Sequence, residues 1–301
     1  MIVRALKKPF ELKVFEALES RITFSSKELK YCHNLKQGYQ GEQRFEQILK
    51  KDLDDHLLVL SDLRFEIGTT TFQIDSIILS GTTLYFFDVK NFPGDYQYLD
   101  KRLYKLPGKE VSNPLLQLKR NETLMPQVLL ELHIDLPMEC FDVFINPEFT
   151  LYQAPLNQHF IFPTQVRKFI DNMNHKPPVT SQQHKLAQHL ITRDIGDYPY
   201  PRIPTFAYKE LKKGLRCVNC NDISININGR NCFCSKCEHE ESVADALLRN
   251  IKELCLLFPD QKITTNLVYE WCGKGYSKKS IKRFLERYFK SVGNHKWVYY
   301  V

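Results

Sequence analysis

The sequence predicts an α/β protein: a mixed sheet flanked by helices, then a small cysteine-anchored ribbon and a helical C-terminal module. Three observations predict it. Residues 71–79 (TFQIDSIIL) and 83–90 (TLYFFDVK) are rich in β-branched and aromatic residues, and the turn at Gly81 between them marks a hairpin. Two Cys-x-x-Cys pairs follow a proline-rich stretch. Beyond those pairs, apolar residues recur at helical spacing.

Residues 1–35 read as an N-terminal extension. MIVRALKKPFELKVFEAL alternates charged and apolar residues where a signal peptide would carry a continuous apolar core, so it predicts a strand and a helix in an intracellular, cytoplasmic protein. The main core is expected over 36–197. A helix opening near Gly41 would carry Glu42 in its first turn, where the macrodipole favours a carboxylate. After the hairpin, a helix over 114–134 starts with Pro114 at N1, and CFDVFI (140–145) reads as a strand. Another strand and helix are expected within 158–174. YPYPRIPTFAY cannot sustain regular hydrogen bonding, which makes 198–212 a linker. The ribbon occupies 213–242. Over 243–301, helices are expected at 243–258, 264–271 and 277–289, with Thr264 and Ser277 as N-caps and SVGNHKWVYYV as a wing, giving a winged-helix-like domain.

With 301 residues, 43% of them hydrophobic, the chain can bury sizeable cores in two or three domains, and no apolar run approaches a membrane span. No phosphate-cradling P-loop and no local Ser-His-Asp motif occurs, so a motor such as a helicase, or another protein partner, would be a separate polypeptide. Residues 1–208 hold 25 basic and 25 acidic side chains, whereas 209–301 hold 17 basic and 10 acidic. The whole positive excess therefore lies in the C-terminal third, where phosphate contacts would be made.

Chemistry concentrates at the hairpin. Asp88 and Lys90 are two apart on one strand and so project from one face, and Asp75 can reach that face from the partner strand. Two hard oxygen ligands suit Mg²⁺ or Mn²⁺, which polarises a phosphate and acidifies a water, while the Lys90 ammonium can orient that water or stabilise developing charge. The plainer alternative is a surface ion pair at a strand end. Asp75 fits that alternative poorly, since it is flanked by Ile74, Ile77 and Ile78 in a run that reads as buried.

Several separated motifs appear in order: Gly38-Tyr39-Gln40-Gly41-Glu42; Gln73-Ile74-Asp75; Asp88-Val89-Lys90-Asn91 followed by Gly94; and Asn113-Pro114-Leu115 with Gln117. Together they resemble the nuclease-related domain, NERD, of the PD-(D/E)XK nuclease superfamily, over about Lys36 to Leu132. The resemblance implies a restriction-endonuclease-like fold and a Mg²⁺-dependent nuclease acting on nucleic acid, above all DNA. It implies Asp75 and Asp88 as metal ligands, Glu42 completing or orienting the metal site, Lys90 as the catalytic lysine, and Gln117 facing the same cleft. Asp88 departs from the glutamate more usual in NERD sequences. A catalytically weak nucleic-acid-binding or scaffold protein, and an RNA-processing nuclease, remain the other readings, because sequence carries no sugar readout.

Cys217-x-x-Cys220 and Cys234-x-x-Cys237, thirteen residues apart, suit a tetrahedral Zn²⁺ site of structural type, with an Asn-Gly hairpin between them. Cys232 and His239 break this symmetry and read as bystanders. Cys32, Cys140, Cys255 and Cys272 read as small core residues. In the last helix Lys278, Lys279, Lys282, Arg283 and Arg287 stand against a single acid, Glu286. They are the candidate nucleic-acid contacts, with a solvated helix face as the alternative.

Overall fold

In the computed structural model, residues 1–156, 159–273, 275–294 and 297–301 are described. The chain begins with β1 (Ile2–Arg4), α1 (Phe10–Leu18), α2 (Ser26–Asp52), β2 (Leu58–Ile67), β3 (Thr70–Leu79) and β4 (Leu84–Lys90). It continues through β5 (Gly94–Leu99), β6 (Arg102–Lys105), β7 (Lys109–Val111), α3 (Pro114–Glu131), β8 (Met138–Phe144), β9 (Phe149–Tyr152), β10 (Phe160–Ile161), α4 (Val166–Asn174) and α5 (Ser181–Arg193). Then come β11 (Ile225–Asn228), β12 (Asn231–Cys234), β13 (Glu240–Ser242), α6 (Val243–Leu257), α7 (Thr265–Cys272), α8 (Lys278–Tyr288), β14 (Ser291–Val292) and β15 (Tyr299–Tyr300). Among the described residues, no helix is long and apolar enough to cross a membrane.

Packing divides the chain into two compact units, one of Met1–Pro9 with His33–Pro201, the other of Phe10–Cys32 with Arg202–Val301. The stretch before residue 36 is therefore shared: its first residues give β1 to the first unit, and α1 packs in the second. A reading along the chain keeps 1–35 together, because it cannot see this exchange.

The first unit is built on a mixed six-stranded sheet in the order β1-β2-β3-β4-β8-β10. β2, β3 and β4 form an antiparallel meander, and β8 joins β4 in parallel through the α3 crossover. Strand alternation sends successive β4 side chains to opposite faces. Leu84 and Phe86 pack in the core that holds α3 and α5 residues, whereas Tyr85, Phe87 and Val89 pack with α2 and α4 residues. With both faces covered, β4 reads as an almost continuous apolar run, so Asp88 inside it is conspicuous. A smaller sheet, β7-β6-β5-β9, closes over Phe92, Tyr96, Phe144 and Phe149.

α3 starts as predicted, with Pro114 at N1 and the Asn113 side chain accepting from Leu115 N–H. α2 does not. It begins at Ser26 and runs 27 residues through Gly38 and Gly41, so Glu42 lies in mid-helix, beyond the reach of the N-terminal dipole. Gly41 is there for a close approach: a Cβ would stand 2.6 Å from Asn91 Cβ, so any side chain would push the helix off the end of β4.

In the second unit, β11 and β12 form the expected hairpin, with Gly229 at φ 63° in its turn, and β13 completes a three-stranded sheet. Thr264 and Ser277 cap α7 and α8 as predicted, their side chains accepting from Leu267 and Ser280 N–H. β14 and β15 pair antiparallel behind α8, and Tyr300 also bridges to Ile263 ahead of α7. Part of the expected wing turn, His295 and Lys296, falls outside the described residues. Cys32, Cys140 and Cys272 are buried as expected, but Cys255 is exposed, on the outward side of amphipathic α6.

A buried ionic network ties α1's segment into this unit. Glu253 receives Arg21 Nε at 2.6 Å on one oxygen and Arg216 Nε at 2.6 Å on the other. The Arg21 guanidinium also lies 3.8 Å from the Trp271 ring centre, and Trp271 Nε1 donates to Asn250 O. Removing Arg21 would leave Glu253 still paired with Arg216 but strip one of its buried oxygens and Lys212 O of their donor, which costs about 1–3 kcal/mol. Arg21→Met should therefore lower the stability of the second unit by about that amount, read as an earlier denaturant midpoint in unfolding of the full chain. Replacing exposed Lys279 by Met should leave the midpoint unchanged.

Candidate active site and metal centre

Sheet register brings the acids together. Asp88 pairs directly with Asp142 on β8. The β3–β4 ladder ends at Ser76 opposite Phe87, so Asp75 stands one step further, across from Asp88. On the other side of β3, the pairs Ser61–Ser76 and Leu63–Ile74 bracket Asp62 opposite Asp75. Four aspartates from four adjacent strands thus lie in one row across the sheet.

Around this row the predicted residues meet. Lys90 Nζ lies 2.7 Å from Asp88 Oδ2 and donates to Gln117 Oε1 at 3.2 Å, while Gln117 Nε2 donates to Asp88 Oδ1 at 3.1 Å. Asp75 Oδ2 accepts from Val89 N–H at 2.8 Å, locking its carboxylate against the strand that bears Asp88. Asp88 is buried, and its Oδ2, though ion-paired, has no aligned hydrogen-bond donor. Glu42 reaches the same charges from α2. Burial first, then Asp62 and Asp88, push it up to about 7, with Lys90 and Arg64 opposing. Asp75 is held well above its ordinary value by burial, then by Asp88 and Glu42. Burial works against the Lys90 charge, but Asp88, Asp75 and Asp142 outweigh it and raise the ammonium above its usual range.

Sequence reading missed Asp142 and Asp62. Asp142 is fully buried, neither of its oxygens has an aligned hydrogen-bond partner among the described residues, and burial followed by Asp88 pushes it up to about 8. A carboxylate at the centre of CFDVFI was the available signal; what it faces depends on strand pairing. Asp62 takes φ 54° in β2, accepts from Gln73 Nε2 at 3.0 Å, and is raised by burial. Gln73 is in turn held by Arg64 at 2.7 Å.

Several carboxyls share one half-buried ammonium, and among the described residues Asp88 keeps an oxygen without an aligned donor, so the donor set fits a hard divalent cation. It is not a closed cage. Among the described residues, only Cys217, Cys220, Cys234 and Cys237 gather three or more such ligand atoms within 4.8 Å of one another.

These cysteines sit on two matching knuckles. In each, the residue after the second cysteine has a left-handed backbone, Asn221 at φ 60° and Glu238 at φ 59°. Cys217 N–H donates to Asp222 O, and Cys234 N–H to His239 O, five residues on in both cases. The sulfurs of Cys217 and Cys237 are 3.7 Å apart, and those of Cys220 and Cys234 3.5 Å, close to the ~3.8 Å edge of a tetrahedron with Zn–S bonds of ~2.3 Å. Hydrogen bonds from Asn219 and the His239 backbone pull Cys237 down to about 6, whereas burial pushes Cys217 up, so the four sulfurs share protons unequally when no metal holds them. Cys232 turns away, its Sγ donating to Glu241 O.

On α8, Ile281 and Leu285 are buried, whereas Lys278, Lys279, Lys282, Arg283 and Arg287 are exposed. Lys282 pairs with Glu286 at 3.7 Å, and Lys278 lies 5.2 Å from the Tyr269 ring centre.

Residues 37–145 match the protein-family model described as NERD, nuclease-related domain. Glu42, Asp62, Asp75, Asp88, Lys90, Gln117 and Asp142 all fall inside that stretch, about a third of the chain. No curated protein matches the chain. Among solved structures, Can2 from Sulfobacillus thermosulfidooxidans in complex with cyclic tetra-adenylate (cA4) is similar at 13% identity and a TM-score of 0.25, over 61% of this chain and 50% of that one. The chain spans about half the length of Can2, and so weak an overlap bears on neither fold nor site.

Two outcomes follow from these geometries. Glu42 and Asp142 bind protons more tightly folded than unfolded, so their contribution to stability is complete below pH ~4 and is lost as pH rises through about 7 and about 8. Without divalent cations, the denaturant midpoint should fall between pH 5 and pH 8, and Glu42→Gln should flatten the lower part of that fall; equal slopes in both proteins would refute the assignment. At the cysteines, metal analysis should find one Zn²⁺ per chain. Cys217→Ser or chelation should loosen the second unit, read as faster proteolysis there.

Proposed function

We propose that this chain is a nuclease that hydrolyses phosphodiester bonds of DNA with Mg²⁺ or Mn²⁺. The observation that carries the reading is the buried Asp88, ion-paired with Lys90 and held by Gln117, with Asp75 and Glu42 facing the same charges, inside the stretch that matches a nuclease-related domain. Asp75 and Asp88 would hold the cation, with Glu42 completing or orienting its surroundings. The bound cation would offset phosphate charge and lower the pKa of an attacking water. Lys90 donates to that water or to a phosphate oxygen, stabilising charge as it develops. Gln117 ties Lys90 to Asp88, which fixes the direction of the ammonium.

The four cysteines give the second unit a zinc-stabilised ribbon, suited to a reducing, cytoplasmic setting. α6, α7, α8 and the β14–β15 pair follow the order of a winged helix. In that arrangement the exposed basic face of α8 supplies phosphate contacts. One observation favours a second reading, a catalytically weak binding protein: the acids of the first unit are not gathered to the spacing the cysteines reach.

Single-stranded DNA, double-stranded DNA and RNA incubated with and without Mg²⁺ or Mn²⁺ decide between these readings. Cation-dependent cleavage should be abolished by Asp88→Ala with binding retained, and Lys90→Ala should lower kcat by ~10²–10³-fold without a matching loss of metal affinity. Cleavage undiminished by Asp88→Ala would remove the mechanism, and binding without cleavage would favour the second reading. Reversing Lys278, Lys279 and Lys282 together should weaken binding and flatten its salt dependence.

A further inference from the structure

The C-terminal end of the second unit turns an aromatic face to solvent. β14 and β15 pair Ser291 with Tyr300 and Val292 with Tyr299, and beyond them the backbones of Lys290 and Val301 exchange both hydrogen bonds. Directly paired residues project from the same face of a two-stranded sheet, so Ser291 and Tyr300 share one face and Lys290, Val292, Tyr299 and Val301 the other. The first face is the inner one, since Tyr300 is buried. The second is open: Val301 is exposed, Val292 and Tyr299 are half-buried, and Lys262 Nζ lies 4.7 Å from the Tyr299 ring centre. At the turn joining the two strands Trp297 is 85% exposed. Tryptophan is highly buried on average, and the chain's other one, Trp271, is wholly buried.

Charge selects what such a face can meet. Residues 277–301 hold seven basic side chains and one acidic, Glu286. Cations also lie beside aromatic rings on the two preceding helices: Arg287 is 5.6 Å from the ring centre of Tyr288, itself exposed at the end of α8, and Lys278 is 5.2 Å from that of Tyr269 on α7. The module therefore attracts a polyanion, while the open indole favours a flat apolar partner. A duplex meets only the first demand, because its base faces are stacked on one another and it presents edges and phosphates. An unpaired nucleobase on its phosphate chain meets both.

We propose that Trp297 stacks on an unpaired base of a single-stranded nucleic acid, with Lys262 and Lys290 on the open face meeting its phosphates. The inference deepens the nucleic-acid reading of the second unit and rests on it. The basic face of α8 supplies attraction that any strand shares, and the indole separates unpaired strands from paired ones. The chain then prefers single strands, or duplexes with single-stranded ends, to blunt duplexes. Stacking on one base is worth a factor of about 5 to 150 in affinity. It carries no charge, so it leaves the salt dependence to the lysines and arginines.

The test uses the full-length Asp88→Ala protein, so that turnover does not enter, and compares it with the same protein carrying Trp297→Ala or Trp297→Phe. Matched unfolding midpoints check the fold. Dye-labelled single-stranded DNA, single-stranded RNA, an abasic DNA strand and blunt duplex DNA of equal length are titrated at several salt concentrations. Trp297→Ala should weaken binding of a base-bearing single strand at least about fivefold, with the abasic strand and the duplex changed less than about twofold and the salt slope unaltered. A selective loss on either sugar supports the proposal, and Trp297→Phe should restore most of the affinity. Unlabelled single strand should also quench tryptophan emission, and Trp297→Phe should remove the quenching, because Trp271 is buried. Unchanged single-strand affinity, an equal loss for the abasic strand or the duplex, or quenching by phosphatidylserine vesicles and not by strands overturns the proposal. If wild-type protein cleaves in an Asp88-dependent way while binding ignores Trp297, only this assignment falls. If single-strand binding depends on Trp297 but nothing is cleaved, the assignment stands and the nuclease reading falls. If no nucleic acid binds, the binding reading of the second unit falls and this inference with it.

Discussion

The first unit is organised around an excess of negative charge that is buried at Asp88 and Asp142 and half-buried around them. Asp62, Asp75, Asp88 and Asp142 line up across four strands, Glu42 looks in from α2, and Lys90 is the ammonium among them. Burial of like charges raises proton affinity, which is why Glu42 and Asp142 are displaced towards neutral pH. Such a cluster is costly inside an apolar core, and a divalent cation of the kind proposed would offset that cost. The surrounding packing must hold it against that cost.

It does so with apolar strands and one close helix crossing. Leu84, Phe86, Tyr85, Phe87 and Val89 anchor β4 on both faces, so Asp88 and Lys90 have little freedom at its end. Gly41 lets α2 touch Asn91, and Glu42 on the same helix reaches the charges of Asp62, Asp88 and Lys90. The second unit meets the same problem of buried charge differently. Glu253 is matched there by two arginines, one on each oxygen, leaving no excess negative charge for a cation to compensate. The contrast separates a structural ion network from the site proposed for chemistry.

Much of this was legible in the residues. Periodicity and turn chemistry located the hairpin; Asn113-Pro114, Thr264 and Ser277 marked helix starts because capping is a local interaction. Spacing alone singled out the four cysteines, since a knuckle is closed within a few residues. Local rules also misled. Gly38 and Gly41 looked like the opening of a helix, but glycine within a helix can equally permit a contact with a distant segment, here Asn91. The exposed Cys255 failed in a related way, as the apolar neighbours on α6 did not determine which side of the helix faced the core.

What the sequence determined by itself is the chemistry available: Asp75, Asp88 and Lys90 on adjoining strands, paired Cys-x-x-Cys knuckles, and a basic last helix. These depend on alternation, spacing and composition, which act over a few residues. Only the tertiary structure decided which groups meet. Asp142 joins Asp88 through parallel pairing across the α3 crossover, and α1 joins the second unit instead of the strand that precedes it. Both outcomes come from contacts between segments far apart in the chain, chosen by which apolar faces bury one another, and no local pattern encodes that choice.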